Sequence, residues 1–343
     1  MSRFFRDCSI FLSLVAGLFL FACAPSVPPT LLPERVKLKV LLLPYLSYAP
    51  LFIAQEEGYY NEQGLDVEFV RLADSATAIP SLAQGGLDVV GASLRAAALN
   101  AMLRGTKMRI VADKGHIDSK SCGYYSFIAR RSLVEAGELQ TAAQLKGRRL
   151  SNIAGQASPE GYFVDKLLGS AGLTFDDAQV SAIPLGAELE AMQQGALDLT
   201  VAGEPSATQF VQSGQGVKWM QVQQIVPGFQ FDVLIYGPNL EEKNPDAGRR
   251  FMVAYLKAVR QYNQGKTARN LDLLTKFTGL DRGLVANMCL PSVDSDAGID
   301  VNSVMEFQAW AVQKKFLDRA LTPDEFWDPS FVQAARNVID SKK

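Results

Sequence analysis

The side chains best suited to hold a small molecule sit in short polar turns at the ends of apolar runs. The run Leu38 to Leu43 stops at Pro44, which cannot donate to a sheet ladder, and is followed by Tyr45, Leu46, Ser47 and Tyr48. Ligands of open α/β sheets bind beyond the carboxyl ends of the strands, where this aromatic, hydroxyl-rich turn falls. Taken alone, its turn residues fit an exposed loop. Asp74, Ser75 and Thr77 are short polar residues that suit a helix start. Gly91, Ala92 and Ser93 form a small-residue turn that presents backbone N–H groups at another strand end, a second candidate wall. Gly155, Gln156, Ala157, Ser158 and Pro159 open a further helix, with Ser158 as N-cap and Pro159 in the first turn. Gly161 in that turn disfavours helix by about 1 kcal/mol relative to alanine. Either something approaches its backbone closely or the turn frays. For catalysis there is little material: His116 is the only histidine, so a zinc site or a Ser-His-Asp triad has almost nothing to work with. No catalytic residue, metal ligand set or cofactor is expected.

The elements that must position these turns alternate between strand and helix. Pro50 begins a helix with Leu51, Phe52 and Ala54 on its apolar face and Gly58 at its end; Leu65, Val67 and Phe69 then alternate with Asp66 and Glu68 as a half-buried strand. Helix Ala76 to Gln84, strand Leu87 to Val90, helix Leu94 to Arg104 and strand Met108 to Ala112 follow. The chain crosses between lobes near His116 to Cys122, before a strand from Tyr124 to Ala129. A short helix over Thr141 to Lys146, strand Arg149 to Ile153 and a helix to about Ser170 come next. Leu82, Gln84, Gly85, Leu87, Asp88, Val89 is then echoed by Met192, Gln194, Gly195, Leu197, Asp198, Leu199, at a constant offset of 110 residues from Leu82 to Met192. Two similar α/β lobes would bring the following turns face to face, aiming Glu204 into a cleft, although a Glu-Pro pair alone fits an exposed turn. Strand-like runs Lys218 to Ile225 and Asp232 to Tyr236 flank Pro227 and Gly228, a second crossover, and two crossings suit a hinge. Helices follow: one from Asn244 with Phe251, Ala254, Tyr255, Ala258 and Tyr262 inward, then Ala268 to Thr278, Asp300 to Lys315 and Pro329 to Ile339. Phe307, Trp310, Phe326, Trp327 and Phe331 read as core packing rather than a ligand cage.

Over 343 residues, 48% hydrophobic and 20% charged is ordinary globular composition with room for two packed domains. Residues 1–22 differ: Arg3 and Arg6 precede an apolar run from Ile10 to Ala22, an export signal too short for the roughly 20 residues of a spanning helix. Leu20, Phe21, Ala22, Cys23 resembles a lipobox, which would make Cys23 the lipidated N-terminus, although Phe21 is bulkier than usual there. Residues 23–35, with prolines at 25, 28, 29 and 33, read as a flexible tether. The formal net charge of −2 moves only to −3 when Arg3, Arg6 and Asp7 leave with the signal, so no nucleic-acid footprint is visible. The remaining cysteines, Cys122 and Cys289, lie in a compartment that permits disulfides, and the sequence leaves their pairing open.

The segments Pro44 to Gly58 with Tyr59 to Val67, Ser81 to Ser93, Leu145 to Leu173 (LKGRRLSNIAGQASPEGYFVDKLLGSAGL) and Met192 to Pro205 resemble the substrate-binding proteins of ABC importers. Within that family the chain looks like the group, also called THI5/NMT1-like, that serves nitrate, sulfonates, taurine, thiamine-precursor pyrimidines and riboflavin. The resemblance covers most of residues 37–265. It implies an α/β, two-lobed type II periplasmic-binding fold, each lobe a mixed sheet flanked by helices, with the ligand in the interlobe cleft. Lobe I would comprise 36–124 and 230–343 and lobe II 125–229. A monomer would capture a small molecule, dock on a permease with its ATPase, and stay lipid-anchored on the outer face of a cell membrane. Family ligands sit at the turn after the first strand and at helix starts, here Tyr45, Ser47, Tyr48, Asp74, Ser75, Ser93, Gln156, Ser158, Glu160 and Tyr162. Tyr124, Glu204 and Asp232 complete the expected set. Aromatic faces with carboxylates suit a planar heterocycle bearing N–H or OH donors, whereas a carboxylate-rich pocket should repel sulfonate or nitrate. Riboflavin is therefore the expected ligand, with a thiamine-precursor pyrimidine, a sulfonate, taurine or nitrate as the alternative, and a tethered sensor as the alternative role. A related pyrimidine-synthesising enzyme family needs a cysteine-rich run and an active-site histidine that are not found here, so no enzyme activity is expected.

Overall fold

The structure is a computed structural model that describes residues 35–72, 77–120, 122–152 and 155–341. The signal, the tether with Cys23, and Asp74 and Ser75 lie outside the described residues. In chain order the strands are β1 (Val36–Leu41), β2 (Leu65–Val70), β3 (Val89–Ser93), β4 (Arg109–His116), β5 (Tyr125–Arg130), β6 (Arg149–Ser151), β7 (Gln179–Ser181), β8 (Leu199–Gly203), β9 (Gly216–Gln221) and β10 (Gln230–Tyr236). They form two five-stranded sheets, β2-β1-β3-β10-β4 and β7-β6-β8-β5-β9. Alternation on β2, with Leu65 and Val67 buried and Asp66 and Glu68 exposed, sets its register beside β1. In each sheet four strands run in one direction, and the single antiparallel one, β10 or β5, is supplied by the chain that has just crossed from the other sheet.

The crossovers lie between β4 and β5 and between β9 and β10. They pair with each other: Ile117 N–H donates to Phe229 O at 2.8 Å and Gly228 N–H to Ile117 O at 2.8 Å. Cys122 and Cys289 form a disulfide, their Cα atoms 5.6 Å apart across 167 residues of sequence, which ties the first crossover to the C-terminal region. Helix Pro245–Tyr262 buries the expected face, Phe251, Ala254, Tyr255, Ala258 and Tyr262. Phe307, Trp310, Phe326 and Phe331 are core residues, and Trp327 is half-buried in an isolated bridge to Ile110. No described helix is long and apolar enough to cross a membrane.

Several boundaries differ from the sequence reading for local reasons. Asp88 accepts from the Lys39 amide at 2.6 Å, so β3 begins only at Val89 and runs on to Ser93. Strand β4 continues past Ala112 to His116 because Asp113 and Lys114, charged but fully buried, find partners inside the lobe. Helix Leu94 to Arg104 shortens to Ala96–Leu103, strand Arg149 to Ile153 to Arg149–Ser151, and strand β9 stops at Gln221, where a 3-10 turn begins. The exposed edge strand β7 carries no apolar alternation strong enough to announce it.

Candidate functional site

A cavity of about 80 Å³ lies between the sheets and is lined from both sides. The first sheet's lobe contributes Leu43, Tyr45, Ser47 and Tyr48 beyond β1, Ser93 and Arg95 beyond β3, and Phe231 and Asp232 on β10. The second contributes Tyr124 and Tyr125, Glu160, Val201 to Gly203 on β8, Glu204 and Ser206. Tyr125 packs against Phe231 with the rings tilted and their centroids 4.4 Å apart, so the aromatic lining is continuous across the cleft.

Under the first lobe's wall lies Lys114, with no exposed surface. Its ammonium donates to Ser47 Oγ at 2.8 Å, pairs with Asp232 Oδ2 at 3.0 Å and sits 3.9 Å from the Tyr48 ring centroid. Burial lowers the Lys114 pKa, and the Asp232 carboxylate opposes that shift. Tyr48 donates through its hydroxyl to the Gly91 carbonyl. A side chain at Gly91 would place its Cβ 2.8 Å from Lys114 Cδ and 2.9 Å from the Tyr48 ring, so glycine is what lets all three meet. Arg95 donates from Nε to Ser93 Oγ at 3.0 Å and has no ion pair with a carboxylate among the described residues.

The second lobe's wall is built differently. Glu204 is buried but already bound: Oε1 accepts from Lys218 Nζ at 2.6 Å and Oε2 from the Thr208 amide at 3.0 Å. Glu160 is 6% exposed, stands in the first turn of helix Pro159–Gly169, and one oxygen, Oε2, has no hydrogen-bond partner. Burial raises its pKa, with the Arg95 charge across the cleft opposing. Tyr124 and Tyr125 are pushed well above the ordinary phenol value by burial and by neighbouring acidic groups.

Of the side chains expected from sequence, Tyr45, Ser47, Tyr48, Ser93, Tyr124, Glu160, Glu204 and Asp232 line this cavity. Tyr162, Ser158 and Gln156 do not. Residues two apart on a helix point about 200° apart, so Glu160 facing the cleft turns Tyr162 away. Tyr162 packs instead on Phe229, Phe307 and Trp310 with centroids 5.1, 5.9 and 5.1 Å away. The Ser158 hydroxyl is occupied as N-cap, accepting from Gly161 N–H at 3.1 Å and donating to Gly155 O at 2.6 Å. Gln156 has an exposed side chain, and its carbonyl is what crowds Gly161, where a Cβ would lie 2.1 Å from Gln156 O. The close approach to Gly161 thus comes from its own turn.

The sequence reading also missed the cations. Lys114 offsets Asp232, Lys218 offsets Glu204, and Arg95 adds a positive charge at the cavity wall. The carboxylate-rich pocket expected from sequence is a correction on this count: two of its three acids carry their own counter-ions. A signal existed for Arg95, the one charge between Leu94 and the alanines that follow a small-residue turn. Lys114 and Lys218 meet their partners only through the fold.

Solved structures share this architecture at low sequence identity. The ligand-binding component of an ABC-type import system from Staphylococcus aureus superposes with a TM-score of 0.73 at 15% identity, covering 88% of this chain and 99% of that one. The nitrate-binding protein of Synechocystis PCC 6803 gives 0.71 at 16%, covering 90% of each. The aliphatic sulphonate-binding protein of Escherichia coli gives 0.69 at 14%, covering 87% and 93%. A desulfurization enzyme also shares the fold, with a TM-score of 0.62 at 15% identity, covering 89% and 100%. No curated protein matches at the level of sequence. The architecture is therefore the two-lobed α/β periplasmic-binding fold, each lobe a mixed sheet flanked by helices. The model of the NMT1-like family matches residues 32–274, and the chain belongs to that family.

Proposed function

We propose that the protein is the ligand-capturing component of an ABC importer and that its cleft takes a small anionic molecule. One observation carries this reading: Arg95 lines the cavity without a carboxylate ion pair among the described residues, while Asp232 and Glu204 are already offset by Lys114 and Lys218. A half-buried cation at the cavity wall with no ion-pair partner among the described residues favours a ligand that brings an acid group to it. Structural neighbours named for sulphonate and nitrate binding agree with that chemistry. Riboflavin, the ligand expected from the aromatic turn, has less support, because the structural neighbours are named for sulphonate and nitrate binding. The enzyme alternative has less support, because the sole histidine, His116, is absent from the cavity lining and hydrogen-bonds Asp113 at 2.8 Å.

The ligand proposal is tested by thermal shift and calorimetry on the full-length protein in detergent, with alkanesulfonates, short carboxylates, nitrate, a thiamine-precursor pyrimidine and riboflavin. An anion at a hundred times its Kd should stabilise the fold by about 2.7 kcal/mol, and Arg95→Gln should remove that gain. Quenching of flavin fluorescence with no response to any anion would reinstate the vitamin. Residues 1–22 and Cys23 complete the proposal as a cleaved export signal and a lipidated N-terminus holding the protein on the outer face of a membrane beside its permease and ATPase. Labelled palmitate should enter the wild-type protein and not Cys23→Ser; equal labelling of both would remove the anchor.

A further inference from the structure

The charge balance of the cavity leaves one acid to explain. Asp232 and Glu204 have lysine partners at 3.0 and 2.6 Å. Among the described residues Glu160 has none, though it is buried (6% exposed), lines the same cavity and keeps Oε2 without a hydrogen-bond partner. Nor is Glu160 reserved for Arg95: the two feel each other's charge across the cleft but form no ion pair. The helix start engages only part of the carboxylate, through the Glu160 backbone N–H and Ser158, and leaves Oε2 over. An acid held by Arg95 would leave this carboxylate facing it, a repulsion that an ammonium group on the same ligand would remove. Two opposite charges on opposite walls, with no ion pair between them among the described residues, are complementary to a molecule that carries both.

We propose that Glu160 is the specificity-determining residue of the cavity, receiving an N–H of a ligand ammonium group while Arg95 holds the ligand's acid, so that the substrate class is a compact zwitterion. This rests on the small-anion reading above and deepens it. The two charged groups belong to facing walls of one cavity, so the amine and the acid of the ligand must both lie within it. Tyr124, Tyr125 and Phe231 supply the faces between the two charged ends, where a short aliphatic linker would lie.

The test is calorimetric titration of the full-length protein in detergent with two probe pairs, taurine against ethanesulfonate and β-alanine against propionate. Members of each pair differ by the ammonium group. The inference requires the ammonium-bearing member of a pair to bind about tenfold tighter or more, the worth of one charged hydrogen bond. In Glu160→Gln that ratio should collapse toward unity, and in Arg95→Gln both members should lose affinity together. The wild-type ratio decides the matter even if a variant folds poorly. Equal affinities within each pair, with binding still lost in Arg95→Gln, would leave the small-anion reading standing and overturn the role of Glu160. No binding of any probe, or binding that survives Arg95→Gln, would overturn both.

Discussion

The two lobes share a scaffold and diverge at the wall each presents to the cleft. In both, an aspartate at the foot of the third strand clips the first strand. The Lys39 amide donates to Asp88 at 2.6 Å and the Arg149 amide to Asp198 at 2.9 Å, and Asp88 N–H and Asp198 N–H each return a 2.9 Å bond to the same residue's carbonyl. Above that common base the lobes part. Under the first lobe's wall, Lys114 is wrapped by Ser47, Asp232 and Tyr48. In the second, Ser126 Oγ, Asn152 Nδ2, Glu160 Oε2 and Glu188 Oε2 are buried without partners. A duplicated frame fixes where the walls stand, and specificity is written in what each leaves satisfied or unsatisfied. At the cavity the first lobe is a finished floor and the second leaves Glu160 Oε2 over; the first lobe's own unpartnered atoms, Tyr60 Oη, Glu241 Oε1 and Thr275 Oγ1, are on residues outside the cavity lining.

The strongest way to break this contrast is to unfinish the floor. Lys114→Met would leave Asp232, 6% exposed, without its counter-ion and take the cation from the Tyr48 face. Breaking a buried pair in this way should cost about 3 to 5 kcal/mol, read from urea unfolding of the ligand-free protein. The matching change in the second lobe, Lys218→Met, should cost less, because Lys218 is 37% exposed and Glu204 keeps the Thr208 amide. Equal losses would mean that the lobes do not differ in how their walls are held.

How far the sequence discloses this division depends on how local each signal is. The 110-residue echo is local in both copies, and it leads to Asp88 and Asp198 in equivalent roles. The Tyr45 to Tyr48 turn is legible because Pro44 and Pro50 bracket it. Lys114 is not, since its partners Ser47 and Asp232 lie on other elements and a buried charge inside a strand looks like a strand end until they are in place. The resemblance implies the whole helix start from Gln156 to Tyr162 in the site, yet helical phase sends Glu160 and Tyr162 to opposite faces. The disulfide was open for the same reason as Lys114: 167 residues separate its ends, and only the fold brings their Cα atoms to 5.6 Å.

Glu188 gives the finer test of the second lobe. It has no exposed surface, accepts from Thr200 Oγ1 at 2.7 Å through one oxygen and leaves the other unpartnered. Burial, against hydrogen bonds from Ser151 and Thr200 and with Glu160 adding its charge, pushes its pKa up from 4.5 to about 7. An acid whose pKa is higher in the folded chain than in the unfolded one takes up protons on folding between those two values. Stability therefore falls as pH rises through the window from about 4.5 to about 7, and the full penalty is present above it. The size of the shift corresponds to about 3 kcal/mol. Glu188→Gln keeps an oxygen for Thr200 and carries no charge at any pH, so it should gain on the wild type by about that amount between pH 4.5 and 8 and differ little below the window. Urea unfolding of both proteins across that range measures the difference directly. A gap that does not change with pH would mean that Glu188 is as well served as Lys114, and the asymmetry between the two walls would be lost.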